Sequence, residues 1–225
     1  MRLALHGYGR MGKAVEAIAT GRGHEIVARL SSESALDFGG AEAIIDFSTA
    51  SGLPALIDAA CREKIDLVIG TTGWSDSLES FRERCLAAPI KVIYGANFSP
   101  GANVMFSLAR KAAGLLSRFE GYDCGIEERH HRQKKDSPSG TALRIASEAH
   151  AGSGNRWNPS ISSSRVGSEF GLHTIFFDSA DDLIEISHRA RGRDGFARGA
   201  VYAAEALADH KGFLSFEEIL GLESV

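Results

Sequence analysis

Residues 3–12 read Leu3-Ala4-Leu5-His6-Gly7-Tyr8-Gly9-Arg10-Met11-Gly12, an apolar strand running straight into glycines at 7, 9 and 12. Gly-x-Gly-x-x-Gly placed after a strand and before a helical pattern opens a βαβ dinucleotide-binding unit. Gly7 permits the tight turn, Gly9 lets the backbone approach a pyrophosphate, and Gly12 allows close helix–strand packing. Val15, Ile18 and Ala19 then share one face of a helix. A glycine-rich turn with no ligand is the plainer alternative. The strand and helix on either side favour the nucleotide site, with Tyr8, Arg10 and Met11 as further contacts.

Moving outward, Ile26-Val27-Ala28 forms a second strand that runs into Arg29-Leu30-Ser31-Ser32-Glu33. An acid at that strand end would bind ribose hydroxyls and disfavour a 2′-phosphate. Here Arg29, Ser31 and Ser32 flank the position, donors a phosphate could use, and Glu33 comes later. The alternative is that Arg29 points to solvent and Glu33 reaches back to the ribose. Residues 34–42 are too few for a full crossover helix, so this crossover is abbreviated. Buried-strand patterns follow at 43–47, 67–69 and 90–94, with helical patterns at Leu53, Leu56, Ile57 and Ala60, and at Leu78, Phe81, Cys85 and Leu86. Such alternation predicts a doubly wound parallel sheet. At strand ends stand Phe47 and then Gly70-Thr71-Thr72, small enough to leave room for a cofactor.

Gly95-Ala96-Asn97-Phe98 breaks the alternation, and Met105, Leu108, Ala109, Ala112, Leu115, Leu116 and Phe119 read as the core stripe of a long helix. Tyr122, Cys124 and Ile126 alternate as a strand that delivers Glu127 to Ala142, EERHHRQKKDSPSGTA. Arg129, Arg132, Lys134 and Lys135 surround adjacent histidines, and Ser137-Pro138 reads as an N-cap followed by proline at the first helical position. The amides of Ser139, Gly140 and Thr141 would then lack intrahelical partners and favour an anion. A charge run is ordinarily a solvated face; the order strand, cationic loop, capped helix lifts this one above that. Adjacent histidines on a strand point to opposite faces, and no zinc-ligand spacing accompanies them.

Residues 152–164, rich in Ser, Asn and Gly, read as a mobile surface loop. Strand patterns near Arg165-Val166, Leu172–Phe177 and Leu183–His188 follow without helices, which predicts a mixed or antiparallel sheet. Ile175, Phe176 and Phe177 put apolar groups on both faces, so a partner is expected to cover one. A helix with Ala200, Ala203, Ala204 and Leu207 on one side comes next, and the tail is expected to pack on the first domain.

The run HHRQKKDSPSGTA resembles the signature HHxxKxDAPSGTA of the 4-hydroxy-tetrahydrodipicolinate reductase (dihydrodipicolinate reductase) family, with Ser137 where alanine is usual. GYGRMG, DFS, GTTG, ANFSPGAN and the RVG…GLHTIFF…IEISHRA…FARGA region match as well, so the chain resembles a compact variant. The resemblance implies a Rossmann-type dinucleotide-binding domain at 1–97 and 205–225, and an α+β substrate-binding and tetramerisation domain at 98–204. It implies reduction of a small-molecule dicarboxylate by NADPH or NADH, with His130 as proton donor and Lys134 supplying charge or the proton. His131, Ser139, Gly140 and Thr141 would hold a carboxylate, and Lys135 is left as surface charge. It also implies a homotetramer. Two rivals stay open: a related NAD(P)H oxidoreductase with another substrate, and a nucleotide sensor lacking proton donors, against which His130 and Lys134 count.

The chain as a whole agrees. Its 225 residues are 44% hydrophobic and 24% charged with a formal charge of −4, which argues against general nucleic-acid or membrane binding. Three cysteines without CxxC spacing read as thiols of a reducing cytoplasm.

Overall fold

The computed structural model describes residues 1–31 and 34–222. The chain divides into two compact units, one of Met1–Pro100 with residues 193–222, the other of Gly101–Gly192.

In the first unit, strands β1 (Arg2–His6), β2 (Glu25–Leu30), β3 (Ala43–Asp46), β4 (Asp66–Ile69) and β5 (Val92–Tyr94) alternate with helices α1 (Arg10–Gly21), α2 (Leu53–Glu63) and α3 (Leu78–Ala87). The six-stranded sheet, completed by β10 (Phe213–Ser215), is parallel throughout in the order β10-β5-β4-β3-β1-β2. Strand alternation feeds two cores. Leu3, Leu5, Ile45, Val68 and Ile93 meet α1 and α6 (Asp194–Ala206), while Ala4, Ile44, Leu67 and Val92 meet α2 and α3. Each fully buried Leu or Ile contributes about 1.5–3 kcal/mol. Among the described residues between β2 and β3 there is no helix, as the short crossover predicted; the chain turns through Gly39 and Gly40. The order reverses between β1 and β3, where open α/β sheets bind ligands.

The expected boundary at 205 moves to 193. Ala197, Ala200, Val201, Ala203 and Ala204 of α6 all lie in the first unit's core, so the whole helix belongs there. The tail follows expectation: β10 pairs with β5, and helix α7 (Phe216–Ile219) buries Phe216 and Ile219 in the same core.

The second unit stacks helices α4 (Pro100–Leu116) and α5 (Gly140–Gly152) on one face of a mixed sheet of β7 (Ser160–Arg165), β6 (Asp123–His130), β8 (Gly171–Asp178) and β9 (Leu183–Ala190). β6 runs parallel to β7 and antiparallel to β8. Two expectations fail here. The segment 152–164 is no loop throughout: it begins with the end of α5 and ends in β7, an edge strand whose serines face water while its backbone pairs with β6. The core side of α4 is Ala102, Met105, Phe106, Ala109 and Ala113; Leu108 and Leu115, expected inside, are 44% and 58% exposed. Helical spacing allowed either phase, and the small residues won the closer approach. Among the described residues no helix is long and apolar enough to cross a membrane.

Candidate active site

At the carboxyl end of the parallel sheet, Gly7 has φ +84, and a Cβ there would meet the Phe47 carbonyl oxygen at 2.3 Å. Glycine is therefore required by the end of β3. The Gly7 and Tyr8 amides donate to the Leu30 carbonyl, which ties the turn to β2. Gly12 approaches the Gly7 carbonyl closely, and nothing lies within 4 Å of where a Gly9 side chain would begin. Arg10 and Met11 open α1, with Arg10 exposed and Met11 packed against the core. Phe47 lays its ring where a Gly70 side chain would stand and meets Phe98 edge-on at 6.1 Å.

Around this turn several buried polar atoms lack a partner among the described residues: Ser48 Oγ, Thr71 Oγ1 and Asp46 Oδ2. Buried polar groups are ordinarily satisfied, so unpaired hydroxyls beside an open glycine turn suit the amide and phosphates of a dinucleotide. Thr72 is exposed beside them and Ala96 is exposed at the break. Asn97 accepts from the Ser99 amide, and Gly95 admits Phe216. Phe98 is buried against Phe216, and its carbonyl packs closely on Gly199 of α6.

Arg29 is held within the chain by Glu16. Its Nε donates to Glu16 Oε1 at 2.9 Å, with a closer contact from Nη2, while the Tyr8 hydroxyl takes the other oxygen of Glu16. Glu16, on the second turn of α1, was not foreseen. Ser31 bonds Ser34, and Ser32 and Glu33 lie outside the described residues.

In the second unit, alternation on β6 sends Glu128 and His130 to the buried face and Glu127 and Arg129 to the other. Glu128 Oε1 accepts from the Ser139 amide at 3.1 Å and from Arg165 Nη2 at 2.6 Å. Its Oε2 lies 2.5 Å from His130 Nδ1. Burial pushes the Glu128 carboxyl up, but hydrogen bonds from Arg165, Ser163 and the Ser139 amide, with His130 nearby, outweigh it and hold it at about 2. Burial pulls His130 below its ordinary value, and Lys134 and Arg165 add to this against the opposing pull of Glu128. His173 sits edge-on to His130 at 5.0 Å and is drawn down to about 4, chiefly by burial.

The helix start differs from expectation. Ser139, not Ser137, is the N-cap: its hydroxyl accepts from the Ala142 amide and shares a hydrogen bond with His173 Nε2. Ser137 is exposed, whereas Ser139 is buried where β6 and β8 can hold it. The Ser139 amide is consequently taken by Glu128 and does not stand free. Gly140 and Thr141 open the helix, and the Gly140 amide faces the Asp136 carboxylate, which also pairs with Lys134 Nζ at 2.9 Å. His131 is half-buried, its amide held by the Glu169 carbonyl and its Nδ1 without a partner among the described residues. Lys135 is exposed.

Sequence reasoning missed Glu128, Arg165 and His173. The i, i+2 spacing of Glu128 and His130 was a usable signal; Arg165 and His173 come into place only through the pairing of β6 with β7 and β8.

A parallel sheet with an open glycine turn and spare hydroxyls, in a chain that also carries a buried histidine against a carboxylate, fits a nicotinamide-dependent oxidoreductase. The family model "Dihydrodipicolinate reductase, N-terminus" matches residues 1–98, and "Dihydrodipicolinate reductase, C-terminus" matches 101–220. The chain belongs to the dihydrodipicolinate reductase family, which uses NADH or NADPH. It is 38% identical over 234 residues to the 4-hydroxy-tetrahydrodipicolinate reductase of Christiangramia forsetii, covering 98% of both chains. With the enzyme of that name from Zymomonas mobilis it shares 36% identity over 243 residues, covering 95% of this chain and 94% of the relative. Its fold matches the dipicolinate-bound dihydrodipicolinate reductase of Paenisporosarcina sp. TG-14 with a TM-score of 0.83 at 20% identity, covering 97% and 99% of the two chains.

Proposed function

We propose that this chain reduces 4-hydroxy-tetrahydrodipicolinate, by way of the dihydrodipicolinate it forms on losing water, to tetrahydrodipicolinate in the diaminopimelate route to lysine, with His130 as proton donor. Bound NADH or NADPH supplies the hydride, which adds to the carbon end of the conjugated C=C–C=N system. The electron pair moves toward the imine nitrogen, and His130 gives up the proton that the product keeps. Lys134 supplies positive charge beside the ring, while the amides of Gly140 and Thr141, with His131, hold a carboxylate of the substrate.

The observation that carries the reading is Asp136. Its carboxylate lies between Lys134 Nζ and the Gly140 amide, so the chain's own anion marks the place for an anion. Asp136 is exposed and free to yield that place to a ligand. Ser139 enters as the cap that holds the turn.

The test supplies the substrate in situ with dihydrodipicolinate synthase and follows consumption of reduced nicotinamide. His130→Gln and Lys134→Ala are each expected to lower kcat by roughly 10²–10⁴-fold with cofactor Kd unchanged. Near-normal turnover in either variant removes that residue from its role.

The reading extends to a cytoplasmic homotetramer. Cys61, Cys85 and Cys124 are free thiols, which suits a reducing compartment. The face of the mixed sheet turned away from α4 and α5 carries Leu172, Phe176 and Leu183, the last 54% exposed. Light scattering should give about four times 24.0 kDa, falling in Leu183→Asp. A monomeric wild type would end this part of the reading.

A further inference from the structure

Glu128 and His130 project from one face of β6, and the Glu128 carboxylate divides its oxygens between two tasks. Oε1 receives the Ser139 amide and Arg165; Oε2 lies 2.5 Å from His130 Nδ1. That contact is short but bent, and neither Oε2 nor Nδ1 has another hydrogen-bond partner among the described residues, although both are buried. On the far side of the ring, a Cβ at Gly171 would stand 3.1 Å from His130 Nε2, so glycine there keeps that nitrogen clear.

We propose that Glu128 is the positioning residue of the proton donor: it holds the neutral His130 proton on Nδ1 and leaves Nε2 to take up and deliver the transferred proton. The same carboxylate fixes the start of α5 through the Ser139 amide, so donor and anion-binding turn keep one registration. This rests on the reading of His130 as proton donor.

A metal reading of the same cluster fits less well. Glu128, His130 and His173 offer atoms within 4.8 Å of one another. Two ligands of one zinc ion, each at about 2.0–2.1 Å, stand about 3 Å apart. The 2.5 Å separation of Oε2 and Nδ1 is shorter and suits a shared proton. The charged groups facing His130 are Glu128 from β6, Arg165 from β7, His173 from β8 with His188 beyond it on β9, and Lys134 from the loop. Arg165 and Lys134 oppose protonation of the ring; Glu128 is the carboxylate that supports it.

Glu128→Gln is the informative change. Its carbonyl oxygen can still accept from Ser139 and Arg165, which turns the amide NH₂ toward His130. Nδ1 must then accept, and the ring proton moves to Nε2. The expected result is a kcat lower by roughly 10²-fold, a substrate KM changed much less than kcat, and an alkaline limb of the kcat profile moved to lower pH. Glu128→Asp, which restores the charge, should recover part of kcat and return the limb toward its original place. Added to His130→Gln, the Glu128→Gln change should cost little more, since the two act as one.

Wild-type kcat with an unmoved limb in Glu128→Gln overturns the proposal, as does a fully additive loss in the double variant. His130→Gln run beside them separates the two readings. If it lowers kcat while Glu128→Gln leaves kcat at the wild-type value, positioning alone fails; if it turns over normally, the donor assignment fails too. Ring ¹⁵N–¹H correlations of the wild type give a measure independent of activity. They should show neutral His130 protonated at Nδ1, and protonation at Nε2 would overturn the assignment even if the variants fold poorly.

Discussion

Arg29 shows how one carboxylate decides what a cation is free to do. Its guanidinium is half exposed near the end of β2, yet Glu16 holds it on one side and the Tyr8 hydroxyl completes the cluster. Water screens an exposed pair of this kind, so Glu16 holds Arg29 only weakly. A hydrogen bond to a charged group can reach about 1.5–3 kcal/mol. A 2′-phosphate could therefore recruit Arg29, but it would also meet the charge of Glu16. We expect both cofactors to serve, with the pair setting the balance. Glu16→Gln should raise kcat/KM for NADPH relative to NADH by about tenfold, or ~1.4 kcal/mol, and Arg29→Ala should lower that ratio. Ratios unmoved by both changes would place the ribose elsewhere.

Among the elements, the start of α5 bears most on chemistry. Ser139 closes the helix by accepting the Ala142 amide and reaches His173 with the same oxygen, while its own amide rests on Glu128. Ser139→Ala should cost about 1 kcal/mol of stability and raise the substrate KM. Ser137→Ala, at the exposed position that the sequence pattern favoured, should stay within about 0.5 kcal/mol. Denaturant midpoints and substrate titrations on both variants check this; equal effects would return the cap to Ser137. β7 makes a similar point about strands. Ser160–Arg165 has almost no apolar residue to mark it, but an edge strand needs only backbone partners, and β6 supplies them.

Across the whole molecule, burying several histidines makes stability depend on pH. Burial depresses His130, His173 and His188, with His173 drawn to about 4 from the ordinary 6.5. Above pH 6.5 such groups are neutral whether the chain is folded or not. As pH falls from 6.5 toward about 4 the unfolded chain takes up protons that the folded chain refuses, so stability is lost across that window. Urea midpoints of the wild type should therefore drop between those values, and His173→Gln should flatten the decline. A decline of the same steepness in the variant would show that His173 does not titrate as its burial demands.

By itself the sequence determined the parallel sheet, since strand and helix periods alternate from Leu3 to Tyr94 and are local properties. It marked the glycine turn by its spacing after a strand and before a helix, although the contact that requires Gly7 comes from Phe47 at the end of β3. It also marked His130, Lys134 and the start of α5 as one chemical region. The tertiary structure alone decided which unit α6 joins, because alanines pack on any close neighbour and only contact with the first unit's core settles the choice. It alone decided which stripe of α4 is buried and what Arg29 binds. It alone joined Glu128, Arg165, His173 and Ser139 into one network: these residues span 38 positions of the chain from Arg165 back to Glu128, or 46 on to His173, and β pairing, which no local period encodes, brings them to one face.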